Sequence, residues 1–142
     1  MKDATCGGPY LAAAFFCETV LKENTGVFSA IRILDRVTLQ AGRDAPEAMP
    51  TTLLTLNAMI TFKSGQARGK HTIGIAVEKP SGSEKLALAK LPVLFEGNDR
   101  GHQWIVNLRF NVDQEGLYWF DVSVDDRLVT RMPLRVIYQR LG

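Results

Sequence analysis

The residues of this chain that could do chemistry are few, and their spacing decides what they could do. His71, His102, Cys6 and Cys17 are the nitrogen and sulfur ligands available to a metal. None falls in a CxxC, HxxxH or HExxH pattern, and zinc sites are built on such spacings because paired ligands must reach one ion. No metal and no cofactor is therefore expected. A nucleophile is no better supported: there is no GxSxG elbow, neither cysteine has a histidine near it in sequence, and Cys17 beside Phe15 and Phe16 reads as an inert core thiol. Asp125 and Asp126 are paired carboxylates, but a hairpin turn accounts for both. Asp35 falls on the same face as Ile31, Ile33, Val37 and Leu39, where an acid is either paired with Arg32 or Arg36, displaced by a bulge, or part of a site. With no other acid, histidine or nucleophile near it in sequence, pairing or displacement is the expected outcome. Nothing points to an enzyme.

Two surface sets remain. Between Ala48 and Val77 there is no acidic residue, and Lys63, Arg68 and Lys70 all lie in that stretch. A loop Lys63 to Lys70 carrying them could grip phosphates. The segment Gly65-Gln-Ala-Arg-Gly-Lys-His71 matches a phosphate-binding loop only in outline. It has one residue too few between the glycines and His71 where Ser or Thr belongs, and it joins two strands rather than a strand and a helix. Three cations without aromatic partners make a poor platform for nucleic acid. The second set is Leu117, Trp119, Arg131 and Arg135, whose arrangement depends on the elements that carry them.

Those elements are strands. In Asp113 to Tyr138 two alternations flank a polar turn, and period-two patterning means a strand with one buried face. Tyr118, Phe120, Val122 and Val124 form one set, and Leu128, Thr130, Met132, Leu134, Val136 and Tyr138 the other. Facing the two sets places Val124 against Leu128 and Phe120 against Met132, with Asp125, Asp126 and Arg127 as the turn. Trp119 then lies outside opposite Pro133, Asp121 opposite Arg131, and Leu117 opposite Arg135. An outward Trp and Leu among arginines has the composition of a protein-binding surface; the other outcome is an intramolecular cover, with an arginine stacked on the indole. Upstream, strands are expected over Tyr10–Val20 (where helix is the alternative), Val27–Leu39, Thr51–Lys63, a partner strand through Ile73, Ile75 and Val77, Lys85–Phe95 and Gln103–Val112. Pro80-Ser81-Gly82 and Glu96–Gly101 are expected turns. A change of phase near Pro92 suggests a bulge in an edge strand.

About eight short strands with regular turn signals predict an all-β protein, an antiparallel immunoglobulin-like β-sandwich. The run Asp113-Gln-Glu-Gly-Leu-Tyr118 has the spacing of a tyrosine corner, a mark of that fold. Residues 1–9 are expected as a disordered lead and 10–142 as a single domain of ordinary globular composition. The net charge of +2 does not by itself imply nucleic acid. No run reaches membrane-spanning length and no secretory pattern is present, so the expected compartment is the cytoplasm, with both thiols free.

The segments Phe15–Glu18, Gly26-Val27, Ile31–Ile33, Asp35–Val37, Pro80–Gly82, Gly116–Tyr118, Asp125–Arg127 and Pro133–Val136 together resemble a family of small uncharacterised bacterial proteins. The resemblance spans nearly the whole chain and implies a stand-alone β-sandwich with no assigned catalytic residues. The expected function is non-catalytic: a module or accessory subunit that binds another protein, or a homo-oligomer. The alternative is a nucleic-acid or phosphate binder working through residues 63–70.

Overall fold

The computed structural model describes residues 7–82 and 84–141. Cys6 and most of the expected lead lie outside them. The described residues are all-β and form seven strands: β1 (Tyr10–Lys22), β2 (Phe28–Leu34), β3 (Arg36–Ala41), β4 (Thr52–Glu78), β5 (Lys85–Val112), β6 (Gly116–Val124) and β7 (Arg127–Arg140). They form one continuous sheet in the order β2-β1-β4-β6-β7-β3, with β5 paired to β4 alone. The count is seven and not about eight because two expected pairs of short strands are single long ones, while the expected strand Val27–Leu39 is split into β2 and β3. The Ser64–Lys70 segment is not a loop but the middle of β4, and Glu96–Gly101 is not a turn but the middle of β5.

The β4–β5 hairpin is the spine. The first part of β4 pairs with β1 from Lys63 back to Asn57, and its last part pairs with β6 from Ile73 to Glu78. Between them the hairpin bends. The β4–β5 register shifts between Lys63 and Gly65 and again between Gly65 and Arg68. Bulges of this kind increase local twist and bend a strand without breaking it. Gly65 takes φ +59°, with Tyr10 packed so closely that a Cβ would be 2.5 Å from its ring. Gly7 to Pro9 are placed against this bend: the Gln66 N–H donates to the Gly7 carbonyl at 2.6 Å.

Past the bend the sheet turns back, and its two halves face each other. Phe120 on β6 lies edge-on to Phe16 of β1 at 5.0 Å and to Phe110 of β5 at 5.2 Å. Such contacts across non-adjacent strands require a strongly curled sheet. The core between the halves is the alternating set expected from period two: Leu54, Leu56, Ala58, Ile60 and Phe62 face Tyr118, Phe120, Val122, Met132, Leu134 and Val136. Expected strand Val27–Leu39 breaks at Asp35. Its first half pairs antiparallel with β1, and its second half pairs parallel with β7. Asp35 is the residue at the crossover; it is exposed, with Arg36 Nε 3.5 Å from its carboxylate. Tyr10–Lys22 is a strand, not a helix.

Tyr118 is buried, and its hydroxyl donates to the Gln114 carbonyl at 2.8 Å. This bond ties the β5–β6 connection to the core. Among the described residues no helix is long and apolar enough to cross a membrane.

Candidate protein-docking face

β6 and β7 pair as the alternation predicts over most of their length. Phe120 faces Met132, Trp119 faces Pro133, Asp121 faces Arg131 and Leu117 faces Arg135. The turn differs. Val124 faces Arg127, not Leu128, so the loop holds only Asp125 and Asp126. Both take left-handed conformations, at φ 50° and 64°. That is the two-residue hairpin whose twist matches the strands it joins. A register shift between Val122 and Ser123 then restores the expected pairing. Alternation could not reveal a tight turn compensated by a bulge, because the two offsets cancel.

On the outer face, β4 completes the arrangement. Glu78 stands beside Trp119, and Ala76 beside Asp121. Arg131 lies over the indole of Trp119 at 4.9 Å from the ring centroid. Its guanidinium is held from two sides: Nε donates to Asp121 Oδ1 at 2.6 Å and Nη2 to Glu78 Oε2 at 2.5 Å. Lys85 Nζ, from the start of β5, is 2.7 Å from Asp121 Oδ2. Asp121 is a buried carboxylate on an otherwise outer face. Burial raises its pKa, but hydrogen bonds from Lys85 and Arg131 outweigh that and hold it below the ordinary aspartate value. The result is a fixed aromatic plane with a fixed cation stacked on it. Leu117 and Trp119 are half-buried, while Pro133 and Arg135 are exposed. Sequence reasoning found Trp119, Asp121 and Arg131 but missed Glu78 and Lys85. Their contribution depends on β4 lying beside β6, which no local pattern encodes.

The basic segment is built differently from its expectation. Lys63, Arg68 and Lys70 are exposed, but they sit along β4 at the bend rather than on a loop. Arg68 Nη1 donates to the Glu96 carbonyl at 3.0 Å. Its guanidinium covers Gly97 so closely that a Cβ there would meet it at 2.7 Å. The neighbouring β5 residue Glu96 pairs with Arg100 at 3.6 Å. The register sets an acid, Glu96, opposite Arg68 in the middle of this basic segment.

His71 is half-buried. One ring nitrogen lies 2.6 Å from Asp125 Oδ2 and the other 3.2 Å from the Arg68 carbonyl, joining the bend to the β6–β7 turn. Asp125 also accepts from the Thr72 N–H at 2.9 Å, and this bond together with His71 lowers its pKa. Cys17 is a buried free thiol whose pKa is raised by that burial. Among the described residues no group of three or more His, Cys, Asp or Glu side chains could hold a metal ion.

A family model, described as a family of unknown function (DUF6941), matches residues 12–137. No protein with a curated description matches the chain. Solved structures similar to parts of it include β-glucosidase from Listeria innocua in complex with gluconolactone. That match has 14% identity and a TM-score of 0.46, over 93% of this chain and 17% of that one. Another is the Pseudomonas fluorescens alkylpurine DNA glycosylase AlkC bound to DNA containing an abasic site analog. Here the identity is 12% and the TM-score 0.44, over 70% of this chain and 27% of that one. The chain thus spans only a small part of the length of these enzymes.

Proposed function

The chain belongs to DUF6941, a family with no assigned function, and we propose that it is a non-catalytic binding module that docks another protein through the outer face of β6 and β7. The two halves of its curled sheet are read as the two layers of an immunoglobulin-like sandwich, a reading supported by the Tyr118–Gln114 bond at the tyrosine corner. The module acts in the cytoplasm as an accessory subunit. The stacked Arg131 is the intramolecular cover of the other reading; the observation that carries the proposal is that this cover is partial, with Trp119 only half-buried beside the exposed Pro133 and Arg135. Trp and Arg are the residue types most enriched at binding hot spots, and an anchor held in place before binding loses less entropy when the partner arrives. Leu117, Pro133 and Arg135 extend the same face. The phosphate-binding alternative has less support, because Arg68 is committed to the Glu96 carbonyl.

The test is Trp119→Ala, read by affinity capture from native lysate and by thermal melting. Partner capture should weaken by more than ~1 kcal/mol while melting changes little. A fall of many degrees with capture intact would mean that Trp119 serves the fold alone, with Arg131 as its cover.

A further inference from the structure

The strand with most to explain is β5. It pairs with β4 along its whole length and with nothing else among the described residues, so its second edge is open from Lys85 to Val112. Open edges are templates for pairing, and natural proteins blunt them with lysine, proline, bulges or short length. The first part of β5 is blunted in this way. Lys85, Lys90 and Pro92 lie along it, and the register with β4 shifts opposite Ala87 and Ala89. The other edges, β2 and β3, are short.

The second part of β5, His102–Val112, carries none of these devices. It contains no proline, lysine or acid, and its one formal charge at neutral pH is Arg109. Its pairing with β4 from Thr52↔Val112 to Phe62↔His102 is free of shifts. Inward, Trp104, Val106, Leu108, Phe110 and Val112 are buried, so this edge is rigidly backed by core. Outward, Gln103, Ile105, Asn107, Arg109 and Asn111 are uncharged apart from the arginine.

The geometry points to a second copy of the same chain as the partner of this edge, paired antiparallel about a two-fold axis at Asn107. That register uses the whole unshifted segment and no more: His102 meets Val112, Gln103 meets Asn111, and Ile105 meets Arg109. It sets Arg109 beside Ile105 of the other copy and keeps the two arginines about 14 Å apart along the strand. Pairing would satisfy about ten main-chain hydrogen bonds. The side chains favour the same axis. Asn57 Nδ2 donates to the Glu18 carbonyl at 3.0 Å, and Asn107 Nδ2 donates to Asn57 Oδ1 at 3.2 Å. This row of amides ends at the open edge, where Asn107 retains a second N–H and a carbonyl oxygen. Those are the groups that its own symmetry mate would complete, extending the amide ladder through the axis. The interface lies on a different surface from Trp119 and does not rest on the docking proposal.

The test is the mass in solution by light scattering during gel filtration, over a wide concentration range, for the whole chain and two variants. Asn107 is exposed, so Asn107→Lys and Asn107→Asp should both fold, checked by their far-ultraviolet circular dichroism. The natural chain should be dimeric. Each variant places like charges face to face on the axis and should dissociate at least ~10-fold more readily. Mixing the two variants in equal amounts should restore the dimer. Trp119→Ala should leave it unchanged. A natural chain that stays monomeric throughout would overturn the proposal. So would an Asn107→Lys variant that dimerises normally, or a mixture that stays monomeric.

Discussion

Asp121 shows how one side chain organises a surface. It alternates outward with Trp119 and Ser123, yet it is buried, because Arg131 and Lys85 fold over it from either side. Replacing it with Asn keeps the shape but removes the charge that both cations share. The expected cost is about 1–2 kcal/mol, the lower part of the range for hydrogen bonds to charged groups, because Asp121 is buried but both cations remain partly exposed to solvent. Arg131 should also become mobile, which a longer-wavelength Trp119 emission would report. The pH dependence follows from the sign of the shift. The Asp121 pKa is lowered on folding, so its stabilisation is complete above the ordinary carboxylate range and is lost as the pH falls through its folded-state value. The stability difference between the natural chain and Asp121→Asn should be flat near neutrality and close only in acid below that ordinary range. A difference that closed between neutral and mildly acidic pH would contradict the lowered value.

At the scale of elements, the β6–β7 hairpin carries a conformational cost in plain view. Asp125 and Asp126 both hold positive φ, which Asp tolerates and Gly adopts without steric penalty. The two are not equivalent. The Asp125 carboxylate accepts from Thr72 and lies against His71, whereas Asp126 has a 3.6 Å contact to the exposed Lys90. Asp126→Gly should therefore raise stability by up to ~1 kcal/mol, since an exposed ion pair contributes little. Asp125→Gly should lower it, because the Thr72 N–H and the His71 ring both lose their partner. Chemical denaturation of both variants checks the contrast; equal effects would mean that Asp125 holds nothing together.

For the molecule as a whole, the consequence of a shared spine is cooperativity. β4 and β5 run through both halves of the sheet, so neither half can unfold while the other keeps its strands. Ile60 lies in the first half and Val122 in the second, both fully buried. Ile60→Ala should cost about 2–5 kcal/mol and Val122→Ala somewhat less, as cavities in a packed core do. Each should move the same single calorimetric transition. Two separated transitions in either variant would show that the bend at Gly65 divides the protein into independent units.

The sequence by itself determined which residues are buried along the central strands, though not along the outer ones, where Ile31, Ile33 and Leu128 of the expected apolar sets are exposed. Period two is a local property, and Tyr118, Phe120, Val122, Leu54, Leu56 and Ile60 announce it wherever their neighbours lie. It also determined the β6–β7 register from Leu117 to Asp121, since a slip would have exposed the whole apolar set. It did not determine that residues 64–70 and 96–101 continue their strands. Polar, glycine-containing stretches read as turns unless a partner supplies their backbone hydrogen bonds, and each of these two segments is the other's partner. Nor could it place Glu78 and Lys85 beside Trp119 and Asp121, or leave the second edge of β5 open. Those are facts about which strands are neighbours. They arise when a curled sheet brings residues far apart in the chain side by side, and only the tertiary structure decides them.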